Sequence, residues 1–539
     1  MDASSLDVAQ PVGDHGERGN LCQLTQHLAS AGIQITVCAH TDGERIGHRL
    51  GVSAQPELVI EPLETSHVYL LWRELLGLDL APQGTIDRVE GRVTVVGSGL
   101  CTSHRHCIGE GHFERCVGVE QRVIEVEQNM GEGHSYEVSR IGQYVLAMST
   151  TRRGLKRAAH IAGVYEHPQR EIPDKTVPQI HAEVAAGALA DAGLTMADVD
   201  AYYSAGDAPG FGALSMADYL GLDCRHLNDT ETGGSSYLLH VQQAAQAIAA
   251  GDIDVALITL AGKPRTGGAG PGGSARFSSA PESAFETQFG LGVIGGYAMA
   301  ATRHMHEFGT TSAQLAEIKV AASTHAQHNP NAFLKDVVTV EQVVESRMIS
   351  DPLHLLDACV VTDGGGALVV VSDAVAASLD RHTVPVLGTG FGFKGTSSGR
   401  IDLTYTGAAV SGPAAFDEAG VAPADIDYAS IYDSFTITVL VTIEDLGFCD
   451  KGKGGEFVLD GALHAPFGEL PFNTDGGGLC NNHPANRGGM TKVIEAVRQL
   501  RGEAHEAVQV PDCQLALAHG TGGSMATRMG SATLILGRD

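Results

Sequence analysis

Residues 148–539 are predicted to fold as a layered α/β domain built of two similar halves, with loop and helical material inserted into the first. Three observations predict it. Strand-like and helix-like hydrophobic patterns alternate from Met148 to the C-terminus, with glycine clusters between them. The rhythm restarts at Val384-Pro385-Val386-Leu387-Gly388 after a strand at Gly365–Val371 has closed the first run. A Gly/Ser/Pro-rich loop at 263–283 and two helical segments interrupt the first run.

The elements follow in order. Ala159–Val164 reads as a first strand, and 178–193 as a helix with Gly193 as its C-cap. Ala201–Gly206 is strand then turn, 238–250 a helix closed by Gly251, and Val255–Leu260 a buried strand. Helices at 293–307 and 312–327 fall in the insert, placed at about 263–350. The first half is set at 148–379 and the second at 380–539, ending in the strand Ala532–Leu536.

Residues 1–147 read differently. They contain no Lys, half of the chain's ten Cys, and its single Trp, Trp72. Two readings stay open: an upstream extension, with Met148 as the true start, or an accessory domain with strand-like runs such as Arg92–Val96. Cys101, His104, His106, Cys107, His112 and Cys116 are of types that suit zinc, but they lack paired Cys-x-x-Cys spacing, so no metal is assigned.

A net charge of -29 argues against nucleic acid or an anionic membrane as a bulk partner. No apolar run is long enough to span a bilayer, and no secretory signal is seen, so a cytoplasmic protein with free thiols is expected.

Four stretches carry the chemistry. The first is Ser430-Ile431-Tyr432-Asp433-Ser434-Phe435, where the phenol of Tyr432 is suited to donate to an oxyanion or act as a base. The second is Asn473-Thr474-Asp475-Gly476-Gly477-Gly478-Leu479, followed by Cys480-Asn481-Asn482-His483-Pro484. Gly477 and Gly478 permit close backbone approach, and the imidazole of His483 suits acid–base work. The third is Ala518-His519-Gly520-Thr521-Gly522-Gly523-Ser524, with no cysteine. The fourth is Thr230-Glu231-Thr232-Gly233-Gly234-Ser235-Ser236-Tyr237, leading into a helix, a turn of the kind that binds an acyl or anionic group.

Taken together, and over the whole of 148–539, these stretches resemble the thiolase superfamily, nearest to its sterol-carrier-protein-x and lipid-transfer-protein branch. The resemblance implies a thiolase fold: two βαβαβαββ halves in α-β-α-β-α layers. It implies a coenzyme A thioester as substrate without a further cofactor, a homodimer, and a small OB-fold, zinc-ribbon partner of the kind relatives work with. It places Tyr432, His483 and His519 at catalytic positions, His519 as catalyst or loop scaffold. Gly234, Ser235, Ser236, Gly477, Gly478, Gly522 and Gly523 line the substrate. Ordinary thiolases carry a nucleophilic cysteine that helix register places at Gly234, and a second cysteine in the third stretch; both are missing. The branch includes aldolases that use tyrosine on steroid side-chain thioesters, which implies retro-aldol cleavage of a β-hydroxyacyl-CoA. An acyltransferase with an unusual nucleophile, such as Ser235 or Ser236, and a non-catalytic acyl-CoA-binding subunit are the alternatives.

Overall fold

The computed structural model describes residues 93–95, 124–126, 157–267, 292–395, 401–484, 488–523 and 529–538. The Cys101–Cys116 cluster, most of the Gly/Ser/Pro-rich loop and Ser524 lie outside these residues. The chain separates into two units, 1–151 and 152–539. In the first, β1 (Val93–Val95) pairs antiparallel with β2 (Ile124–Val126).

The second unit opens with β3 (Ala159–Glu166), followed by α1 (Val177–Ala192). Local chemistry fixes both ends of α1. Thr176 and Gln179 form a reciprocal capping box, and Gly193 ends the helix in the left-handed region at φ 74°. Next come β4 (Ala201–Tyr203), α2 (Ala213–Leu220), β5 (His226–Asn228), α3 (Ser236–Ala250) and β6 (Val255–Gly262). The insert contains α4 (Val293–Phe308), α5 (Ser312–Ala326) and the small hairpin of β7 (Met348–Ser350) and β8 (Leu353–His354). The half closes with β9 (Gly364–Ser372). Its order is therefore βαβαβαββ, as expected, with the insert between the last two strands.

The second half runs β10 (Val384–Lys394), α6 (Ala408–Ala419), β11 (Tyr428–Ile431), α7 (Thr436–Asp445), the short turn α8 (Gly477–Cys480), α9 (Gly489–Arg501), β12 (Leu515–Gly522) and β13 (Met529–Gly537). It departs from a strict repeat at one point. Where the first half has β5, the second has only a single parallel bridge, Ala429 to Phe472.

The strands order as β11-β12-β13-β10-β3-β9-β6-β4-β5. The two halves meet edge to edge at β10 and β3, where Val384 pairs with Ile161 and Pro385 with His160, and the Arg157 N–H donates to the Val386 carbonyl at 2.9 Å. Three apolar clusters give the layers. One joins α1 to the outer face of the first half-sheet, through Ile180, Val184, Leu189, Leu257 and Val369. A central one packs α3 and α9 between the half-sheets, through Leu238, Val241, Val493 and Val497. The third joins α6, α7 and α5 to the outer face of the second, through Ala415, Leu440, Ile318 and Leu517. Strands covered on both faces read as continuous apolar runs, and every residue of β6 and β9 is buried. Among the described residues no helix is long and apolar enough to cross a membrane.

Candidate active site

The site forms where the end of β11, the turn before α3, the α8 turn and the start of α9 converge. Side chains alternate along β11: Ala429 and Ile431 face the outer cluster, while Tyr428 faces the central layer. Tyr432 continues that inward register. Its hydroxyl lies 2.9 Å from Nε2 of His483, and the two rings meet edge to face with centroids 5.6 Å apart. The residues are 5% and 4% exposed, so the pair is shielded from bulk water. Burial pushes the imidazole of His483 down to about 4, against the opposing pull of Asp433 and with a small push from Lys492. His483 is neutral at physiological pH, and its Nδ1 has no hydrogen-bond partner among the described residues.

Gly234 stands against this pair. A Cβ built on Gly234 would fall 2.3 Å from Cε2 of Tyr432 and 2.4 Å from the Thr521 carbonyl oxygen. The Tyr432 ring therefore takes the space into which a side chain at 234 would project. The position that the helix register assigns to the missing nucleophile has no room for one. Gly522 and Gly520 make this approach feasible from the other side, since a Cβ on either would strike the 232–235 turn, at Thr232 and Gly234 oxygens 2.0 and 2.6 Å away. Gly523 follows with φ 116°. Ser235 donates to the Thr232 carbonyl at 2.8 Å, and the Ser236 hydroxyl accepts the Thr232 N–H at 2.9 Å. Both serines are fully buried and tie down the turn, so neither is presented as a nucleophile.

The His483 turn is fastened from behind. Thr362 accepts the His483 N–H at 2.9 Å and donates to Asn482 Oδ1 at 2.7 Å. Asn482 Nδ2 donates to Glu166 at 2.8 Å, and Glu166 pairs with Arg170 at 2.9 Å. Arg170 in turn donates to Asn481 Oδ1 at 2.7 Å. Asn482 thus has a definite role, as a link between His483 and a buried ion pair. Asp475 and Glu495 lie behind this network, and burial raises both, with repulsion from Glu166 adding to it at Asp475 and from Asp475 at Glu495.

Gly477 and Gly478 do not present free amides. The Gly477 N–H donates to Asp475 at 2.9 Å, and the Gly478 N–H to Asp433 at 2.8 Å. A Cβ on Gly477 would lie 2.1 Å from Asp433 Oδ2, so what these glycines supply is space for that carboxylate. His519 is not brought to the pair either. It lies in register with Thr533, bonds Thr533 Oγ1 through Nδ1 at 2.9 Å, and Thr533 bonds Ser411 of α6 at 2.8 Å. That is the outer face of the sheet, opposite Tyr432; of its two expected roles, the scaffold is the one its position fits. Its carbonyl does reach the site, accepting the Tyr432 N–H at 3.0 Å. His519→Asn is accordingly expected to lower the thermal midpoint while leaving kcat near wild type, as checked by a melting curve beside a steady-state assay.

Asp433 and Lys492 had no assigned role in the sequence. Asp433 lies in the same motif as the more conspicuous Tyr432. The signal for Lys492 was present: it shares the helical stripe of Val493, Ala496 and Leu500, an apolar face on which a lysine is out of place.

Buried neutral imidazoles also shape acid stability. Burial pushes His240, His325 and His483 down to about 4 and His519 down to about 3. In the unfolded chain each binds a proton near pH 6.5. Their contribution is therefore present above about pH 6.5 and lost as pH falls towards about 4. The urea midpoint is expected to decline steadily across that window, and His519→Asn to make the decline shallower.

Comparison with known proteins gives the family of the chain. Residues 394–538 match the family described as Thiolase C-terminal domain-like. The chain is 33% identical over 380 residues to an acetyl-CoA acetyltransferase of Methanothermobacter thermautotrophicus, covering 69% of this chain and 98% of that protein. It is 35% identical over 362 residues to a steroid side-chain-cleaving aldolase of Thermomonospora curvata, covering 65% of this chain and 91% of the aldolase. Among solved structures, the Ltp2-ChsH2(DUF35) aldolase matches with a TM-score of 0.65 at 33% identity, covering 71% of this chain and 99% of that one. The chain belongs to the thiolase superfamily, in its sterol-carrier and lipid-transfer-protein branch. The relatives are aldolase, lyase and acetyltransferase enzymes.

Proposed function

We propose that residues 148–539 cleave the Cα–Cβ bond of a β-hydroxyacyl-CoA by a retro-aldol reaction in lipid or steroid side-chain breakdown, without a covalent acyl-enzyme. The observation that carries this is the Tyr432 ring occupying the nucleophile's space at Gly234 while its hydroxyl bonds His483. A phenol bonded to a neutral imidazole is a proton relay. The substrate's β-hydroxyl proton passes to the Tyr432 oxygen as the phenol's own proton passes to His483 Nε2. The C–C bond breaks, the β-carbon becomes a carbonyl, and the electron pair enters the thioester enolate. The buried imidazolium so formed is a strong acid and returns the proton through Tyr432 to Cα, giving the shortened acyl-CoA. The proton count closes with no external donor, and no further cofactor is needed.

The aldolase named among the relatives supports this reading, and the acetyltransferase keeps thiolysis as a second one. Coenzyme A dependence separates them. The purified protein is expected to release a carbonyl compound and an acyl-CoA from a β-hydroxyacyl-CoA at a rate indifferent to added coenzyme A. Cleavage of a β-ketoacyl-CoA at a rate proportional to added coenzyme A, with the β-hydroxyacyl-CoA left intact, would establish thiolysis instead, and binding without turnover of either would leave an acyl-CoA-binding subunit.

The same proposal includes a cytoplasmic homodimer. β5 is an edge strand of the sheet, and Phe211, Leu214, Tyr219 and Leu227 lie exposed on it and on the neighbouring α2 region. It also includes a small OB-fold, zinc-ribbon partner, supported by the solved aldolase that carries a DUF35 component.

A further inference from the structure

The ammonium of Lys492 is 1% exposed, on the first turns of α9, and pairs at 2.7 Å with the equally buried Asp433. An ion pair this deep contributes little net stability, because desolvating both charges offsets their attraction. Its position suggests another purpose. Asp433 adjoins Tyr432 in sequence and accepts the amides of Gly478 and Leu479 at 2.8 and 3.1 Å, so it joins the strand that presents Tyr432 to the turn that presents His483. A bare carboxylate there would also draw a proton onto His483.

We propose that Lys492 is the positioning residue of the site: by pairing with Asp433 it fixes the strand-to-turn junction and balances that carboxylate beside His483, so that Nε2 stays in place as an acceptor for Tyr432. This rests on the reading of Tyr432 and His483 as the reacting pair. Among the described residues, the charged and titratable groups around His483 are few. Tyr432 and Asp433 come from the end of β11, and Lys492 from α9. Lys319 of α5 bonds the Leu479 carbonyl at 2.7 Å on the far side of the turn. Beyond Asn481 and Asn482 stand Glu166 and Asp475. Lys492 is the cation that pairs with Asp433, and it opposes the carboxylate's pull on the imidazole.

The test uses the full chain with histidine labelled for NMR, the His483 signal being assigned by its loss in His483→Gln. In K492M, an unbranched neutral replacement, His483 is expected to titrate about one pH unit or more higher than in wild type. The kcat is expected to fall about 10²-fold with KM little changed, and the acid limb of the rate profile to follow the His483 titration. In D433N/K492M, which removes both charges, the His483 titration is expected to return to its wild-type position. A merely structural lysine would shift the melting temperature and leave the His483 titration where it was. That result, or an unchanged kcat in folded K492M, overturns the proposal. If K492M does not fold, D433N decides: with the carboxylate gone and Lys492 kept, the His483 titration is expected to fall below its position in the double variant, and an equal position overturns the proposal. Absence of turnover in wild type would sink the retro-aldol reading, while the titration would still decide for or against the role of Lys492 on its own.

Discussion

Tyr432→Phe is expected to lower kcat for β-hydroxyacyl-CoA cleavage by about 10²–10⁴-fold, the range associated with losing a positioned acid–base group. The change removes one oxygen and keeps the ring, so the steric relation to Gly234 is preserved. It leaves His483 without its 2.9 Å partner at Nε2. An unsatisfied buried nitrogen costs about 1–3 kcal/mol, so a modest drop in thermal midpoint should accompany the loss of rate. Because the phenol takes part only when the proton moves, KM should stay close to wild type. Steady-state kinetics and a melting curve on the same preparation check both parts. A variant retaining more than about a tenth of the wild-type kcat would show that the base lies elsewhere.

Gly234→Cys is the second large effect, and its direction is the less intuitive one. Restoring the residue found in ordinary thiolases should not restore a thiolase. The new Cβ would meet Tyr432 at 2.3 Å and the Thr521 carbonyl at 2.4 Å, one a ring packed in the site and the other rigid backbone. Overpacking of this kind typically costs about 1–3 kcal/mol, and here the displaced atom belongs to the reacting phenol. The expected outcome is a lowered urea midpoint, cleavage reduced by about 10²-fold, and no acyl adduct on incubation with acyl-CoA. Gly234→Ala should share the first two effects, since the clash arises at Cβ. Mass spectrometry of the intact protein detects the adduct; its appearance at full stability would mean that the turn yields easily and that the steric account is mistaken.

Much of the fold was legible because its elements are locally determined. α1 has its capping box and its left-handed glycine within the same stretch of chain, and β6 and β9 are mostly apolar runs, buried from end to end. The missing third strand of the second half was not legible. The Phe472 segment pairs with Ala429 through one bridge, a tertiary outcome that leaves no periodic trace. The site divides in the same way. Tyr432 and His483 stood out by residue type and motif, and register alone reached Gly234. That the Tyr432 ring fills the Gly234 space depends on two segments about 200 residues apart. The outward orientation of His519 follows from strand alternation, but only once the position of α6 is known. Lys492 was legible in principle as a charge on an apolar helical stripe, yet its partner Asp433 lies far away in sequence.

The strand order bears on how the domain is made. β3, the first strand of the second unit, finds its neighbours only in β9 and β10. β9 also supplies the neighbour that β6 needs on its inner side. A ribosome that has released β3 must therefore add the whole insert before that strand can be hydrogen-bonded on either edge. Closing so long a loop is entropically expensive, and nascent chains with unpaired, fully apolar strands aggregate readily. Synthesis of this protein should thus show an extended interval, ending when β9 emerges, during which chaperone capture is greatest and a shortened insert would relieve it.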